Sequence, residues 1–247
     1  MKVGPREGVG LLLFLAVAMV FQGCSLGGRE VGRVEAGILR HYGPLEGYPR
    51  VLIISTHRYE TYDCRKGDEG PCHVVAAARL LAKGLGEKGW SVFHDETLGE
   101  TGGSSSPYLD VRPLLLRRVE ELRPHLVIDV HRDALAHEDA TALWRGEPTA
   151  RLLLVVGSKP LQPYPWRENL DLAAWLTERL QEEAPRVMRG IWVKTGSYNQ
   201  EVGPPSLLIE IGGHGSRPEE VRRAVDLLLQ VLPGLPLPGV SQDQGGA

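Results

Sequence analysis

Three apolar runs in this chain lead directly into side chains that bind metals or transfer protons. The runs and their side chains are 51–56 before His57, 126–130 before His131, and 207–213 around Glu210. Short runs rich in Leu, Ile and Val are typical of interior strands of a parallel sheet, whose carboxyl ends form the ligand crevice. We therefore expect the two histidines and the glutamate to meet at one edge of a sheet.

The rest of the chain alternates similar strands with amphipathic helices. The pattern predicts strands at 50–56, 90–94, 126–130, 151–157, 190–194 and 206–211. It predicts helices at 71–88, 113–122, 167–183 and 218–232, the last with Ser216 as a candidate N-cap. This alternation indicates an α/β fold, a single domain with a mainly parallel or mixed sheet flanked by helices.

The spacing of His57 and Glu60 lets both side chains reach one ion, because the chain turns immediately after the strand. His131 follows another strand and should point into the same crevice. Two histidines and one glutamate are a known ligand set for catalytic zinc, which keeps a fourth position open for water. The sequence therefore predicts a zinc ion held by His57, Glu60 and His131.

Glu210 lies inside an apolar strand, where a carboxylate is costly to bury unless it is paired or lies beside a metal. We predict that it is the general base that takes a proton from water and passes it to the leaving nitrogen. Arg132 is predicted to bind charge in the substrate or transition state, or alternatively to pair with Asp133. Asp129 either orients a metal ligand or is a satisfied buried carboxylate.

Three further side chains are candidates for binding substrate. Asn199 and Gln200 lie in a loop where their amides can hydrogen-bond a peptide or a sugar, although such residues are equally typical of turns. Arg112 is a candidate for capturing a carboxylate of the substrate.

The N-terminal residues resemble an export signal. Lys2 and Arg6 precede an apolar stretch, 11–21, which at about 1.5 Å per residue is too short to cross a bilayer core of roughly 30 Å. Gly23-Cys24 resembles a bacterial lipoprotein cleavage site, so we expect lipidation of Cys24. An uncleaved anchor and plain secretion are the alternatives, and all three place the domain outside the cytoplasm.

The 247 residues divide into four expected parts. These are a signal or anchor (1–24), a linker (25–48), a catalytic domain (49–233) and a flexible tail (234–247). The formal net charge is −3 and no basic tract stands out, so nucleic acid is not an expected partner.

Cys64 and Cys72 are the two cysteines of the catalytic domain, and outside the cytoplasm they are expected to form a disulfide. The alternative is a structural zinc site made by Cys64, Cys72 and His73, although their spacing matches no common zinc finger.

Seven motifs, in their order along the chain, resemble the stage II sporulation protein P family. They are THRYETY (56–62), IDVHRDA (128–134), VVGS (155–158), RENLDLA (167–173), RGIW (189–192), YNQE (198–201) and LLIEIGG (207–213). That family comprises extracytoplasmic peptidoglycan hydrolases related to zinc-dependent N-acetylmuramoyl-L-alanine amidases. The resemblance covers residues 50–232.

The resemblance implies amidase activity that releases stem peptides from glycan strands, and endopeptidase activity on cross-links. It places His57, Glu60 and His131 at metal positions and Glu210 at the position of the catalytic glutamate. It also implies a cell-wall site of action and a companion glycan-cleaving protein as partner.

Several alternatives stay open at this point. Glu69 or His73 could replace Glu60 as the third ligand. A metallocarboxypeptidase-like peptidase shares the same ligand layout, with Arg132 or Arg112 capturing a terminal carboxylate. A catalytically inactive cell-wall binding module is the alternative outside the enzymes.

Overall fold

The computed structural model describes residues 38–46, 48–99, 105–159, 166–238 and 240. Its strands are β1 (Leu39–Tyr42), β2 (Arg50–Ile54), β3 (Ser91–Asp95), β4 (Leu126–Asp133), β5 (Thr141–Trp144), β6 (Glu147–Ala150), β7 (Leu152–Gly157), β8 (Met188–Lys194) and β9 (Ser206–Gly213). Its helices are α1 (Val74–Glu87), α2 (Pro107–Leu122), α3 (His137–Ala140), α4 (Trp166–Glu183) and α5 (Pro218–Val231), followed by a short 3-10 helix at Leu232–Gly234.

Seven of the strands form one sheet in the order β1-β3-β2-β4-β9-β7-β8, and β5 and β6 form a separate hairpin. Strands β3, β2, β4 and β9 are parallel, so their carboxyl ends share one edge. Strand β1 runs antiparallel to β3, and the β7–β8 pair runs antiparallel to β9. The predicted α/β fold, one domain with a mixed sheet flanked by helices, is confirmed.

The two faces of the sheet are covered differently, because side chains alternate between faces along each strand. Helices α1, α4 and α5 pack on one face in a large apolar core that includes Leu81, Leu176 and Leu228. Helix α2 packs on the other face, where Val111 and Leu115 join a smaller cluster from β2 and β4. This second side of the sheet is called the α2 face below, and it carries the candidate site.

The structure corrects the expected start of the domain. Strand β1 occupies residues 39–42, inside the segment expected to be a linker, so the folded domain begins before residue 49. The four residues of β1 were too few, and too polar, to be recognised without the strand β3 against which they pair. The β5–β6 hairpin was missed for a similar reason, since each of its strands has only four residues.

Two boundaries near helix termini also differ from prediction. Helix α2 starts at Pro107 rather than at residue 113, and Pro113 lies inside it. A proline suits the first turn of a helix, so the sequence offered two possible starts, and the earlier one is used. Ser216 is not the N-cap of α5; that position is Arg217, whose backbone N–H donates to the Glu220 carboxylate at 3.0 Å. The Ser216 hydroxyl accepts instead from the N–H of Gly213.

Residues 1–37, which include Cys24 and the predicted export signal, lie outside the described residues, as do 241–247 of the predicted tail. Among the helices of the described segments, none combines the length and the apolar character needed to cross a membrane.

Candidate active site

His57, Glu60 and His131 come together at the carboxyl edge of the sheet. A turn after β2 returns the chain on itself, since the Glu60 N–H donates to the His57 carbonyl at 3.0 Å. One Glu60 carboxylate oxygen lies 3.5 Å from His57 Nδ1, and the other lies 3.6 Å from His131 Nδ1. The two imidazole rings are nearly perpendicular, with centroids 4.9 Å apart. Three potential ligand atoms therefore face one point.

This arrangement fits a four-coordinate metal ion. Ligand atoms about 2.05 Å from a tetrahedral zinc ion are separated from each other by about 3.3 Å. One ligand atom from each of His57, Glu60 and His131 can be chosen so that all three lie within 4.8 Å of one another, and the two Glu60 oxygens approach the two histidines at 3.5 and 3.6 Å. Among the described residues, no other group of three His, Cys, Asp or Glu side chains meets the same criterion. Two imidazoles with one carboxylate match the donor set of zinc.

Asp129 contacts His131 directly and the backbone next to His57. Its carboxylate accepts from the Thr56 N–H at 2.8 Å and from the Thr56 hydroxyl at 2.7 Å, which fixes the start of the loop that carries His57. One of its oxygens also lies 3.0 Å from His131 Nε2, the ring nitrogen that faces away from Glu60. A carboxylate in this place orients a metal-binding imidazole and increases its basicity. Asp129 is thus placed to orient a ligand, one of its two predicted roles.

Charges inside the cluster are strongly coupled. Burial would raise the pKa of Glu60, but hydrogen bonding to His131 and His57 lowers it to about 2. The backbone N–H of Arg132 donates to the same carboxylate at 3.0 Å. Burial would lower the pKa of His131, yet the carboxylates of Asp129 and Glu60 hold it well above its usual value. A ligand carboxylate that stays ionised is ready to bind a cation.

Glu210 lies beside His131, because the two residues are register partners on β9 and β4. Its Oε2 is buried and has no hydrogen-bond partner among the described residues. Burial raises the pKa of Glu210 to about 7, against the lowering effect of His131. A carboxyl group with a pKa near neutrality can both accept and donate a proton, which is the property required of a general acid-base group.

Two tyrosines that the sequence analysis did not select complete the walls of the site. The Tyr108 ring lies 5.3 Å from the His57 ring and is stacked against His131, with a centroid separation of 6.2 Å. Tyr198 meets Tyr108 edge-on at 5.3 Å. Tyr108 was missed because the predicted helix began only at residue 113, whereas Tyr108 lies in the first turn of α2.

Asn199, Gln200 and Arg112 make their contacts inside the protein. Asn199 Nδ2 donates to the Tyr108 carbonyl at 2.7 Å, and the Gln200 amide bridges the N–H of Gly157 and the Val155 carbonyl. Both amide residues are buried. In this geometry they hold the loop that carries Tyr198.

Arg112 is occupied by Glu201, with which it forms an ion pair, and by the Asn199 side-chain oxygen at 3.4 Å. The substrate-binding roles predicted for Asn199, Gln200 and Arg112 therefore remain predictions, and the observed contacts favour a positioning role for all three.

Arg132 lies at the rim of the site. Its Nε donates to the Thr61 carbonyl at 3.1 Å, and one terminal nitrogen approaches the Asp133 carbonyl at 3.4 Å. The Asp133 carboxylate is engaged elsewhere, by Arg189 at 2.6 Å. The alternative pairing of Arg132 with the Asp133 carboxylate is therefore not formed, and two of the guanidinium nitrogens contact backbone carbonyls at the edge of the cluster.

The structure joins Cys64 and Cys72 in a disulfide, with their Cα atoms 5.4 Å apart. Both sulfur atoms are then unavailable for the alternative structural zinc site. His73 caps helix α1, where its Nδ1 accepts from the Ala76 N–H at 3.3 Å, and Glu69 is exposed. Neither of these two alternative ligands belongs to the cluster around Glu60.

Comparison with known proteins gives a match over most of the described fold. A family model described as stage II sporulation protein P matches residues 42–233. Stage II sporulation protein P of Bacillus subtilis (strain 168) is 27% identical over 201 residues, which cover 73% of this chain and 49% of that protein. The chain therefore spans about half the length of the curated relative it matches.

Solved structures with a related shape are more distant. The N-acetylmuramyl-L-alanine amidase Ami1 from Mycobacterium smegmatis has a TM-score of 0.49 at 12% identity, covering 76% of this chain and 97% of its own. The CwlD amidase from Clostridioides difficile, solved in complex with the GerS lipoprotein, has a TM-score of 0.48 at 12% identity, covering 74% and 90%. A likeness at this level assigns no ligand and no substrate to this chain.

Proposed function

The chain belongs to the stage II sporulation protein P family, as its motifs predicted, and from this premise we propose that it is a zinc-dependent hydrolase of amide bonds in peptidoglycan. The bond we assign is the one between N-acetylmuramic acid and L-alanine, with cross-links between stem peptides as a second target. The observation that carries the proposal is the cluster of His57, Glu60 and His131 with the Glu210 carboxylate beside it. A sporulation role at the cell wall is part of the same proposal.

A zinc ion bound by His57, Glu60 and His131 would supply Lewis-acid activation of water and of the scissile carbonyl. Glu210 accepts the proton of the attacking water, and its raised pKa allows it to keep that proton for the next step. It then delivers the proton to the leaving nitrogen, so that one carboxyl group acts first as base and then as acid. Asp129 keeps the His131 ring in place throughout.

Arg132 and Tyr108 are the residues that we assign to the substrate at the rim. Arg132 has donors near the cluster and would bind an anionic group of the stem peptide or the developing oxyanion. Tyr108 lies beside both imidazoles, with its ring 5.3 Å from that of His57 and 6.2 Å from that of His131, and there it would pack against the substrate.

The nearest rival is a metallocarboxypeptidase-like peptidase, in which Arg132 would bind a terminal carboxylate. The proposals differ in their products. An amidase releases whole stem peptides with a free N-terminal alanine, whereas a carboxypeptidase releases single C-terminal residues. A catalytically inactive binding module would retain zinc and bind peptidoglycan without releasing either product.

The experiment is a digest of purified peptidoglycan by the zinc-loaded full chain, followed by mass spectrometry of the soluble products. We expect intact stem peptides that begin with alanine and that disappear when EDTA is added. Release of single C-terminal amino acids would instead favour the carboxypeptidase. A folded, zinc-bound chain that releases nothing would favour the binding module.

The location and partners of the protein belong to the same proposal. We place the catalytic domain outside the cytoplasm, tethered by residues 1–24 as a lipoprotein through Cys24 or as an uncleaved anchor. A companion cell-wall hydrolase that cleaves glycan is the proposed partner. Palmitate labelling of the full chain in a bacterial host would detect the lipid, and Cys24→Ser should abolish the label.

A further inference from the structure

The α2 face of the sheet continues from the candidate metal site to an exposed aromatic side chain on the edge strand β8. Two rows of side chains cross this face. One row is Asp129, Leu208, Val155 and Trp192, in register across β4, β9, β7 and β8. The other row, nearer the carboxyl ends of β4 and β9, contains His131, Glu210 and Leu153. Neighbouring strands lie about 4.8 Å apart, so β8 is about 10 Å from the strand that carries Glu210.

Trp192 differs from its row neighbours in exposure. Leu208 and Val155 are buried in a small cluster against which Tyr108 and Tyr198 pack. Trp192, the next residue in the row, is 50% exposed. Single exposed apolar side chains are common on protein surfaces and usually need no explanation. Trp192, however, lies on the same face of the sheet as the candidate site, directly beside the buried cluster of Leu208 and Val155.

A bulge in β8 leaves space on one side of Trp192. Leu152 pairs with Met188 and Leu154 pairs with Ile191, so two residues, Arg189 and Gly190, oppose the single residue Leu153. A Cβ atom added at Gly190 would meet no other atom within 4 Å. Bulges beside active sites often redirect a side chain, and here Arg189 reaches the Asp133 carboxylate at 2.6 Å. The position two residues before Trp192 is therefore open.

The other side of the indole carries a cation. Lys194 Nζ lies 3.8 Å from the centroid of the Trp192 ring. Lys194 and Trp192 are two residues apart on β8, and Trp192 is in register with Val155 of the α2 face, so both side chains lie on the face that carries Glu210.

We propose that Trp192 is a saccharide-binding platform, which holds a ring of the glycan strand while the scissile amide lies at Glu210. This inference rests on the proposed function and adds the position of the glycan. A pyranose ring presents a flat face of C–H groups, and an indole offers a large, rigid apolar surface of matching shape. The ammonium of Lys194 can donate to an N-acetyl carbonyl or a hydroxyl of the same sugar.

The charge distribution favours the glycan over the stem peptide at this position. Stem peptides carry carboxylates, for which the donors of Arg132 on the β4 side of the site are better suited. On the β8 side, Arg189 is paired with Asp133 and Lys194 lies on the indole. A neutral sugar meets this surface without displacing either contact.

The test measures binding rather than turnover. In the full chain carrying Glu210→Gln, the variants Trp192→Ala and Trp192→Phe are compared by calorimetry, with Leu143→Ala as the matched control. Leu143 is also exposed, at 57%, but lies on the β5–β6 hairpin. The probes are a neutral tetrasaccharide of N-acetylglucosamine, which presents the same N-acetylated pyranose faces without a carboxylate, and a free stem tripeptide.

We expect Trp192→Ala to weaken tetrasaccharide binding about tenfold, and Trp192→Phe to weaken it less, because an aromatic face remains. Leu143→Ala should change neither affinity, and tripeptide binding should be the same in every chain. The inference is overturned if Trp192→Ala binds the tetrasaccharide as tightly as its parent, or if it loses tripeptide binding instead. A parent chain with no measurable affinity for the tetrasaccharide also overturns it.

The proposed function is tested separately by product analysis with Glu210 intact. Cleavage of peptidoglycan together with unchanged glycan binding in Trp192→Ala would overturn the platform and leave the hydrolase. Loss of glycan binding in Trp192→Ala, with no cleavage by the zinc-loaded native chain, would overturn the hydrolase and leave Trp192 as a saccharide-binding residue.

Discussion

His131 and Glu210 are register partners on the adjacent parallel strands β4 and β9, and their side chains share one face of the sheet. This pairing fixes the candidate metal ligand and the candidate base as neighbours through backbone hydrogen bonds rather than through a flexible loop. The remaining ligands, His57 and Glu60, reach the same point from the turn after β2. A pair held by the sheet and one hydrogen-bonded turn therefore make up the site.

Removal of either histidine should remove the metal. His57→Ala and His131→Ala leave only two protein ligands, and we expect the zinc content to fall from about one ion per chain to near zero after dialysis. Metal analysis of the purified proteins measures this directly. His214→Ala is the matched control, since His214 is exposed and lies outside the cluster, and it should retain full zinc. A His131→Ala chain that keeps one zinc ion would disprove the ligand assignment.

Asp129 should affect the metal without touching it. Asp129→Asn keeps the size of the side chain but removes the negative charge that orients His131, so zinc affinity should fall about ten- to a hundredfold. Competition with a fluorescent chelator gives the affinity. Asp226→Asn, an exposed change on α5, should have no effect. Equal zinc affinity in the Asp129→Asn and native chains would show that Asp129 only anchors Thr56.

The disulfide should stabilise the fold next to the site. Closing the short loop between Cys64 and Cys72 restricts the unfolded chain, which contributes about 2–3 kcal/mol to the free energy of unfolding. A double Cys64→Ser, Cys72→Ser variant should lose that amount in urea unfolding. Cys24→Ser removes a cysteine but keeps the bridge, and its stability should equal that of the native chain. A double variant as stable as the Cys24→Ser control would contradict the expectation.

Acid should destabilise the protein partly through His94. This side chain is fully buried, and burial lowers its pKa from 6.5 to about 4, with the Glu96 carboxylate opposing the shift. The protonated form is therefore disfavoured in the folded state but not in the unfolded state. The resulting loss in the free energy of unfolding is absent well above pH 6.5 and grows as the pH falls toward 4, to about 3 kcal/mol.

The measurement is urea unfolding of the native chain and of His94→Gln at about pH 7 and about pH 4. The glutamine cannot gain a proton, so the variant should lose less stability on acidification than the native chain. Equal losses in the two chains would mean that His94 does not carry this part of the pH dependence.

The main strands of the sheet, and the meeting of the main site residues at its edge, could be predicted because they depend on local sequence patterns. Each apolar run is long enough to mark a buried strand, and the carboxyl ends of parallel strands must share an edge. This reasoning predicts that His57, His131 and Glu210 meet at one edge of the sheet, and the structure brings them together there. The family was likewise recognisable from motifs such as IDVHRDA around His131.

Other features depended on contacts that the sequence does not contain. Strand β1 exists because β3 offers it an edge, and Tyr108 enters the site because α2 begins earlier than its second proline suggested. The amides of Asn199 and Gln200 looked available in sequence, yet they satisfy buried backbone groups. The pairing of β1 and the contacts of the two amides are therefore decided by partners that are distant in the sequence.

The measurement that tests the central claim most directly pairs zinc content with turnover in a single Glu210→Gln preparation. Glutamine keeps the shape of the side chain but cannot accept the proton. The variant should therefore hold about one zinc ion per chain and release stem peptides from peptidoglycan roughly a hundredfold more slowly than the native chain, or slower still. Native-rate release by a zinc-loaded Glu210→Gln chain would contradict the assignment of Glu210 as the base and, with it, the proposed mechanism.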